Sequence, residues 1–142
     1  MEHLPALTRA LEAHKEGILK LAGDLMRIPS ENPPGNHYRE CVDRLRSELD
    51  RLGFACQVVD VPGFPELPRY NLLGFHGEGQ RTLYFHGHYD VVPAQNREQF
   101  VPRVESGRLV GRGSADMKAA VAGMIHAAAM VKESGIPLRG RI

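Results

Sequence analysis

From Met117 to Glu133 the chain is built mainly of Ala, Gly, Val and Met, and this stretch constrains the fold more than any other. A helix of that composition has almost no polar face to give to water, so it has to be buried, and its small side chains suit close packing on a sheet. Gly135 and Pro137 end it. PLRGRI then reads as the lead-in to another strand.

The segments before it supply partners for such a helix. Leu7, Leu11, Ile18, Leu21 and Leu25 share one helical face and predict a helix from about Pro5 to Arg27. Pro29 stops it, and IPSENPPGN is loop by composition. Val42, Leu45, Leu49 and Leu52 predict a second helix, with Gly53 placed to end it in a left-handed conformation. Phe54 to Val61, Asn71 to His76 and Thr82 to His88 read as strands. The short Gly77–Gln80 link predicts that the last two form a hairpin. Pro93 to Gly113 reads as a long irregular segment with one short strand at Arg108–Val110, and long loops inside compact domains tend to be functional. Helices and strands alternate, so the fold class is α/β.

A chain of 142 residues is enough for one modest domain with a real core. Its net charge of +1 gives no reason to expect nucleic acid or an anionic membrane as main partner. No apolar run is long enough to span a bilayer. MEHLPALTRALEAHKEG has no apolar core of the kind a secretion signal needs. Cys41 and Cys56 lie outside any CxxC pattern and read as reduced thiols, which makes a cytoplasmic protein the expectation.

Two segments could carry chemistry. In TLYFHGHYDVVP, an apolar run suited to an interior strand is followed by His86, His88 and Asp90 at every second position. On an extended strand those three share one face, at the carboxyl end where open α/β sheets place ligands. A neutral imidazole is a good zinc ligand, and a nearby carboxylate can take its other N–H. His88 and Asp90 would need a bend after His88 to touch. A lone His-x-Asp is more often an ordinary surface feature, and His86 reads first as a satisfied histidine rather than a ligand. In GRLVGRGSADMKAAVAGM, Asp116 stands at the mouth of the last helix. It could be a plain N-cap or a carboxylate shared between two metal ions. GRGSADMK lacks the spacing and ending of a phosphate-binding loop.

Together and in this order, GHYDVVP and GRGSADMK resemble the two signatures of the metallopeptidase family of acetylornithine deacetylase, succinyl-diaminopimelate desuccinylase, aminoacylase and carboxypeptidase G. IPSENPPGN, followed by a helix ending in LGF, is similar to that family's opening. The resemblance covers essentially the whole chain. Ala119 stands where relatives often have Gly, and no Trp precedes Gln99-Phe100-Val101-Pro102.

The resemblance implies a dinuclear zinc amidohydrolase or exopeptidase, with cobalt or manganese compatible with the same ligands. It implies a three-layer α/β/α zinc-exopeptidase-like catalytic domain with a mixed sheet, of which residues 1–142 are the amino-terminal part. His88 is similar to the ligand of one zinc. Asp90 resembles the catalytic carboxylate that orients that site, and Asp116 the aspartate bridging both ions, followed by a cis peptide at Asp116–Met117. The general-base Glu, the remaining ligands and the lid or dimerisation domain are expected beyond Ile142, so the fragment alone is expected to be inactive. The implied substrate is an N-acyl amino acid or short peptide, and a homodimeric full-length parent is compatible with this. Three other readings stay open: a truncated metal-binding or partner-binding module without catalysis, a barrel metallohydrolase using His86 and His88 as a pair, and a plain α/β binding protein that uses none of these residues. The two opening helices argue against the barrel.

Overall fold

A computed structural model describes residues 3–142. Helices α1 (Leu4–Arg27) and α2 (Tyr38–Arg51) precede strands β1 (Ala55–Val61) and β2 (Arg69–Phe75), the short strands β3 (Arg103–Glu105) and β4 (Arg108–Val110), and helix α3 (Lys118–Glu133). Both opening helices lie where the apolar spacing predicts. Gly53 closes α2 with φ +73°, a conformation that glycine adopts without a Cβ penalty. No helix among the described residues is long and apolar enough to cross a membrane.

The core is where the three helices meet. Leu21, Ala22 and Leu25 of α1 pack with Leu45 of α2 and Ala122 of α3, joined by Leu72, Tyr89 and Ile125. A second cluster joins Leu49, Leu52 and Phe54 to Ala128 and Ala129, with Ile142 against it. Two lysines of α3 satisfy carbonyls that helix ends leave without partners. Buried Lys118 donates Nζ–H to the carbonyls of Leu25 at 2.8 Å and Ile28 at 2.6 Å, and Lys132 does the same for Leu52 and Gly53 at the end of α2. A third polar link crosses the interface of α1 and α3. His14 and His126 face each other through Nδ1 at 2.8 Å, and His14 Nε2 meets Glu133 at 2.8 Å.

The strands depart from the sequence reading. β2 does not form a hairpin with residues 82–88. It pairs antiparallel with β1, from Ala55↔Phe75 to Val61↔Arg69. The residues just after β2 and the start of the 82–88 run are held apart by residues 141–142. Arg141 bridges Gly77 in antiparallel sense and Thr82 in parallel sense. His76 and Ile142 exchange both backbone hydrogen bonds at 2.9 Å, while Leu83 N–H donates to the Arg141 carbonyl and Arg141 N–H to that of Arg81, each at 2.8 Å. The hairpin is absent because residues 141–142 occupy its pairing position. PLRGRI therefore does lead into the sheet, and the pairing is mixed. Residues 84–88 have no ladder partners among the described residues. Helix α3 packs chiefly on α1 and touches the sheet side through Gly87, where a Cβ would lie 2.8 Å from both Val121 Cγ2 and Met124 Cε. The long segment after Pro93 holds a 3-10 turn at Arg97–Phe100 and the β3–β4 hairpin, with β4 on the predicted residues.

Candidate metal centre

Backbone pairing to the α1–α2 loop holds the residues that follow the 82–88 run. Val91 N–H donates to the Ser30 carbonyl at 2.9 Å and Asn32 N–H to the Val91 carbonyl at 2.8 Å. Ser30 Oγ–H donates to the Tyr89 carbonyl at 2.7 Å, and Ala94 N–H to Glu31 Oε1 at 2.8 Å. Tyr89 is pinned from its other end, its hydroxyl donating to the Tyr70 carbonyl at 2.7 Å. Burial pushes that phenol up to about 12. His88 and Asp90 touch without the bend that their spacing predicts. His88 Nδ1 lies 3.0 Å from Asp90 Oδ1 and 3.0 Å from the Asp90 carbonyl.

Asp116 arrives from the other signature, just ahead of α3. Its Oδ1 lies 3.0 Å from His88 Nε2 across 28 residues of sequence. Asp116 does not cap α3. The residue at that position is Met117, and no side chain caps there. The Asp116–Met117 peptide is cis, as the resemblance implies. The carboxylate is largely exposed, at 78% of its side chain. His86 does not join the group. It is exposed and stacks obliquely near Tyr84, with ring centroids 6.2 Å apart.

Both ring nitrogens of His88 thus face acidic oxygens. Burial pulls its pKa down, but the hydrogen bonds to Asp90 and Asp116 and their two charges outweigh that, and the net shift is upward. The site is one in which a positive charge on the Nε2 side of the ring is favoured. A neutral His88 that gives its Nδ1–H to Asp90 leaves an Nε2 lone pair pointed at a carboxylate. A proton or a cation between them would relieve that opposition, and the exposed Asp116 carboxylate is otherwise free to turn to water. The donor set fits a divalent metal: one imidazole nitrogen and one carboxylate oxygen, with the second imidazole nitrogen already anchored. Among the described residues no three His, Cys, Asp or Glu side chains converge to hold a metal ion.

The α1–α2 loop adds residues that sequence reasoning did not assign to the site. Asn32 Nδ2–H donates to Asp90 Oδ2 at 2.8 Å, and the Tyr38 hydroxyl approaches the same oxygen at 3.5 Å. Their only signal in the sequence is position inside, or just after, the conspicuous IPSENPPGN loop.

Residues 84–142 match the sequence profile of peptidase family M20/M25/M40. The chain belongs to that family. Among its curated relatives in the family, N-formyl-4-amino-5-aminomethyl-2-methylpyrimidine deformylase of Bacillus subtilis is 30% identical over 145 residues, covering 98% of this chain and 34% of the relative. Succinyl-diaminopimelate desuccinylase of Methylobacterium radiotolerans is 40% identical over 118 residues, covering 79% of this chain and 29% of the relative. Two solved structures share the fold. The dipeptidase Dug1p of Saccharomyces cerevisiae gives a TM-score of 0.81 at 23% identity over 99% of this chain and 34% of its own. Human carnosine dipeptidase 1 gives 0.78 at 24% identity over 98% and 33%. The chain spans about a third of the length of these M20/M25/M40 relatives. The helices and small sheets described above are a part of that α/β fold.

Proposed function

We propose that the full-length protein is a metal-dependent hydrolase that cleaves the amide bond of N-acyl amino acids or short peptides. The observation that carries this reading is the convergence of the two signatures. His88 Nε2 and Asp116 Oδ1 meet at 3.0 Å, with His88 Nδ1 anchored on Asp90. The relatives named for deformylation and desuccinylation, and the family itself, support the reaction class.

His88 and Asp116 would hold the metal, and two zinc ions are the proposed pair, cobalt and manganese being compatible with the same donors. Bound there, such ions polarise an amide carbonyl and make a water acidic enough to act as a nucleophile near neutral pH. Asp90 keeps the proton on Nδ1 so that Nε2 stays a donor atom. Asp116 is reachable from solvent, which suits a centre that must admit a substrate. The general base is proposed to be a Glu beyond Ile142, so residues 1–142 alone should not turn over substrate.

The test is metal analysis of the full-length gene product with a panel of formyl, acetyl and succinyl amino acids and dipeptides. Metal-dependent hydrolysis by the full-length protein, lost on His88→Ala and on Asp116→Ala and absent from residues 1–142, is the expected result. Full activity in His88→Ala, or zinc-dependent turnover by residues 1–142, would refute it. The alternative, a truncated non-catalytic metal- or partner-binding module, draws on the exposed apolar run Leu83–Phe85. A genuine stop codon after codon 142 would favour it.

A further inference from the structure

The loop between α1 and α2 is fastened through its main chain to the segment after His88, by the bonds of Ser30 and Asn32 to Tyr89 and Val91. That pairing leaves the Asn32 side chain free for another task. Its carboxamide donates to Asp90 Oδ2 at 2.8 Å, while the other oxygen of that carboxylate lies 3.0 Å from His88 Nδ1. Tyr38 supports the same oxygen from the first turn of α2. Tyr38 is itself held by Arg69, which donates to the phenol oxygen at 3.2 Å and lies over the ring at 5.3 Å from its centroid. A carboxylate tied at one oxygen cannot turn about Cβ–Cγ without breaking that bond, so the tie decides where the other oxygen points.

We infer that Asn32 is a positioning residue: by holding Asp90 Oδ2 it aims Oδ1 at His88 Nδ1, which fixes the imidazole as the Nδ1–H tautomer and turns Nε2 toward Asp116. The use made of Nε2 rests on the metal-centre reading above; the hydrogen-bond chain does not. The hydrogen bond of Nδ1–H goes to the Asp90 carbonyl at 3.0 Å, and Oδ1 lies at the same distance beside it, where its charge favours the proton on Nδ1 over Nε2. Without Asn32 the carboxylate is free to swing away, the carbonyl alone remains to hold Nδ1–H, and the preference for one tautomer weakens. Outer partners of this kind commonly change metal affinity by about 10–100-fold.

The experiment is NMR of the metal-free chain with 15N-labelled histidine at fixed pH, followed by titration with zinc chloride. The comparison is between the natural chain, Asn32→Ala and the equally shaped Asn32→Asp, which offers no N–H donor. Both variants keep the backbone N–H that binds Val91. The natural chain should show His88 as the Nδ1–H tautomer. Both variants should show a mixture at His88, with the other histidines unmoved, and zinc binding about 10–100-fold weaker. An unchanged His88 tautomer ratio in both variants overturns the inference. If Asn32→Ala disturbs every histidine, it has lost its fold and Asn32→Asp decides. If zinc binds none of the three chains while the tautomer shifts as stated, the metal-centre reading fails and the positioning role of Asn32 stands.

Discussion

At His88 the two ring nitrogens have unequal neighbours, one anchored inside the loop and one facing an exposed carboxylate, and that inequality gives the residue a direction. His126 is the opposite case. It is 1% exposed, its Nδ1 shares a single proton with His14, and its Nε2 has no hydrogen-bond partner although Glu48 Oε1 lies 3.6 Å away. Burial lowers its pKa below the ordinary 6.5, overcoming the opposing pull of Glu48, and the neighbouring His14 and Arg51 act in the same direction as burial. The unfolded chain therefore takes up a proton before the folded one does. Its contribution is complete above pH 6.5 and is lost as pH falls from there toward the depressed folded value. Urea melts at falling pH should show stability declining by up to about 1.4 kcal/mol per pH unit below that point. His126→Leu should flatten the decline. At this scale the sequence revealed what was repeated in a motif and little else. His88 and Asp116 could be paired because two signatures occur together, whereas Asn32, in a Pro-rich loop, has the ordinary look of a turn former. Only coordinates show that its amide reaches a carboxylate 58 residues away.

Helices were legible because their signal is local. Leucine spacing and the terminal Gly and Pro place α1, α2 and α3 within a few residues of where they lie. The pairing of strands was not legible in the same way. The Gly-rich link 77–80 correctly announces a change of direction, but turn chemistry cannot reveal that a segment 60 residues later will sit between the two arms. The alternation that set His86, His88 and Asp90 on one face holds for His88 and Asp90, which touch, while His86 lies apart from them beside Tyr84. Gly87 marks how closely this run lies on α3. A methyl group at that position would meet Val121 and Met124 at 2.8 Å. Gly87→Ala should cost about 1–3 kcal/mol, the usual range for overpacking, read as a lower denaturation midpoint with an unchanged slope.

Across the whole molecule, one apolar run stands uncovered. Leu83, Tyr84 and Phe85 are exposed at 59, 67 and 44%, next to backbone groups of residues 84–88 that have no partners among the described residues. A cavity of about 470 Å³ opens between this run and β2, floored by Leu45, Leu49, Val121 and Ile125. An apolar ribbon with free backbone groups pairs readily with another chain. Light scattering of residues 1–142 should show association that grows with protein concentration. Tyr84→Lys should reduce it without altering the helical circular dichroism, whereas association unchanged by that charge would place the sticky surface elsewhere.

Arg141 is gripped from both sides, so the two arms it joins have nothing to clasp them until it has been made. During synthesis at roughly 5–20 residues per second, the stretch around Leu83 waits several seconds for that clasp. Through that interval the backbone groups at Arg81 and Leu83 are open as well, and a chaperone arriving at the ribosome would meet a longer adhesive ribbon than the folded chain presents.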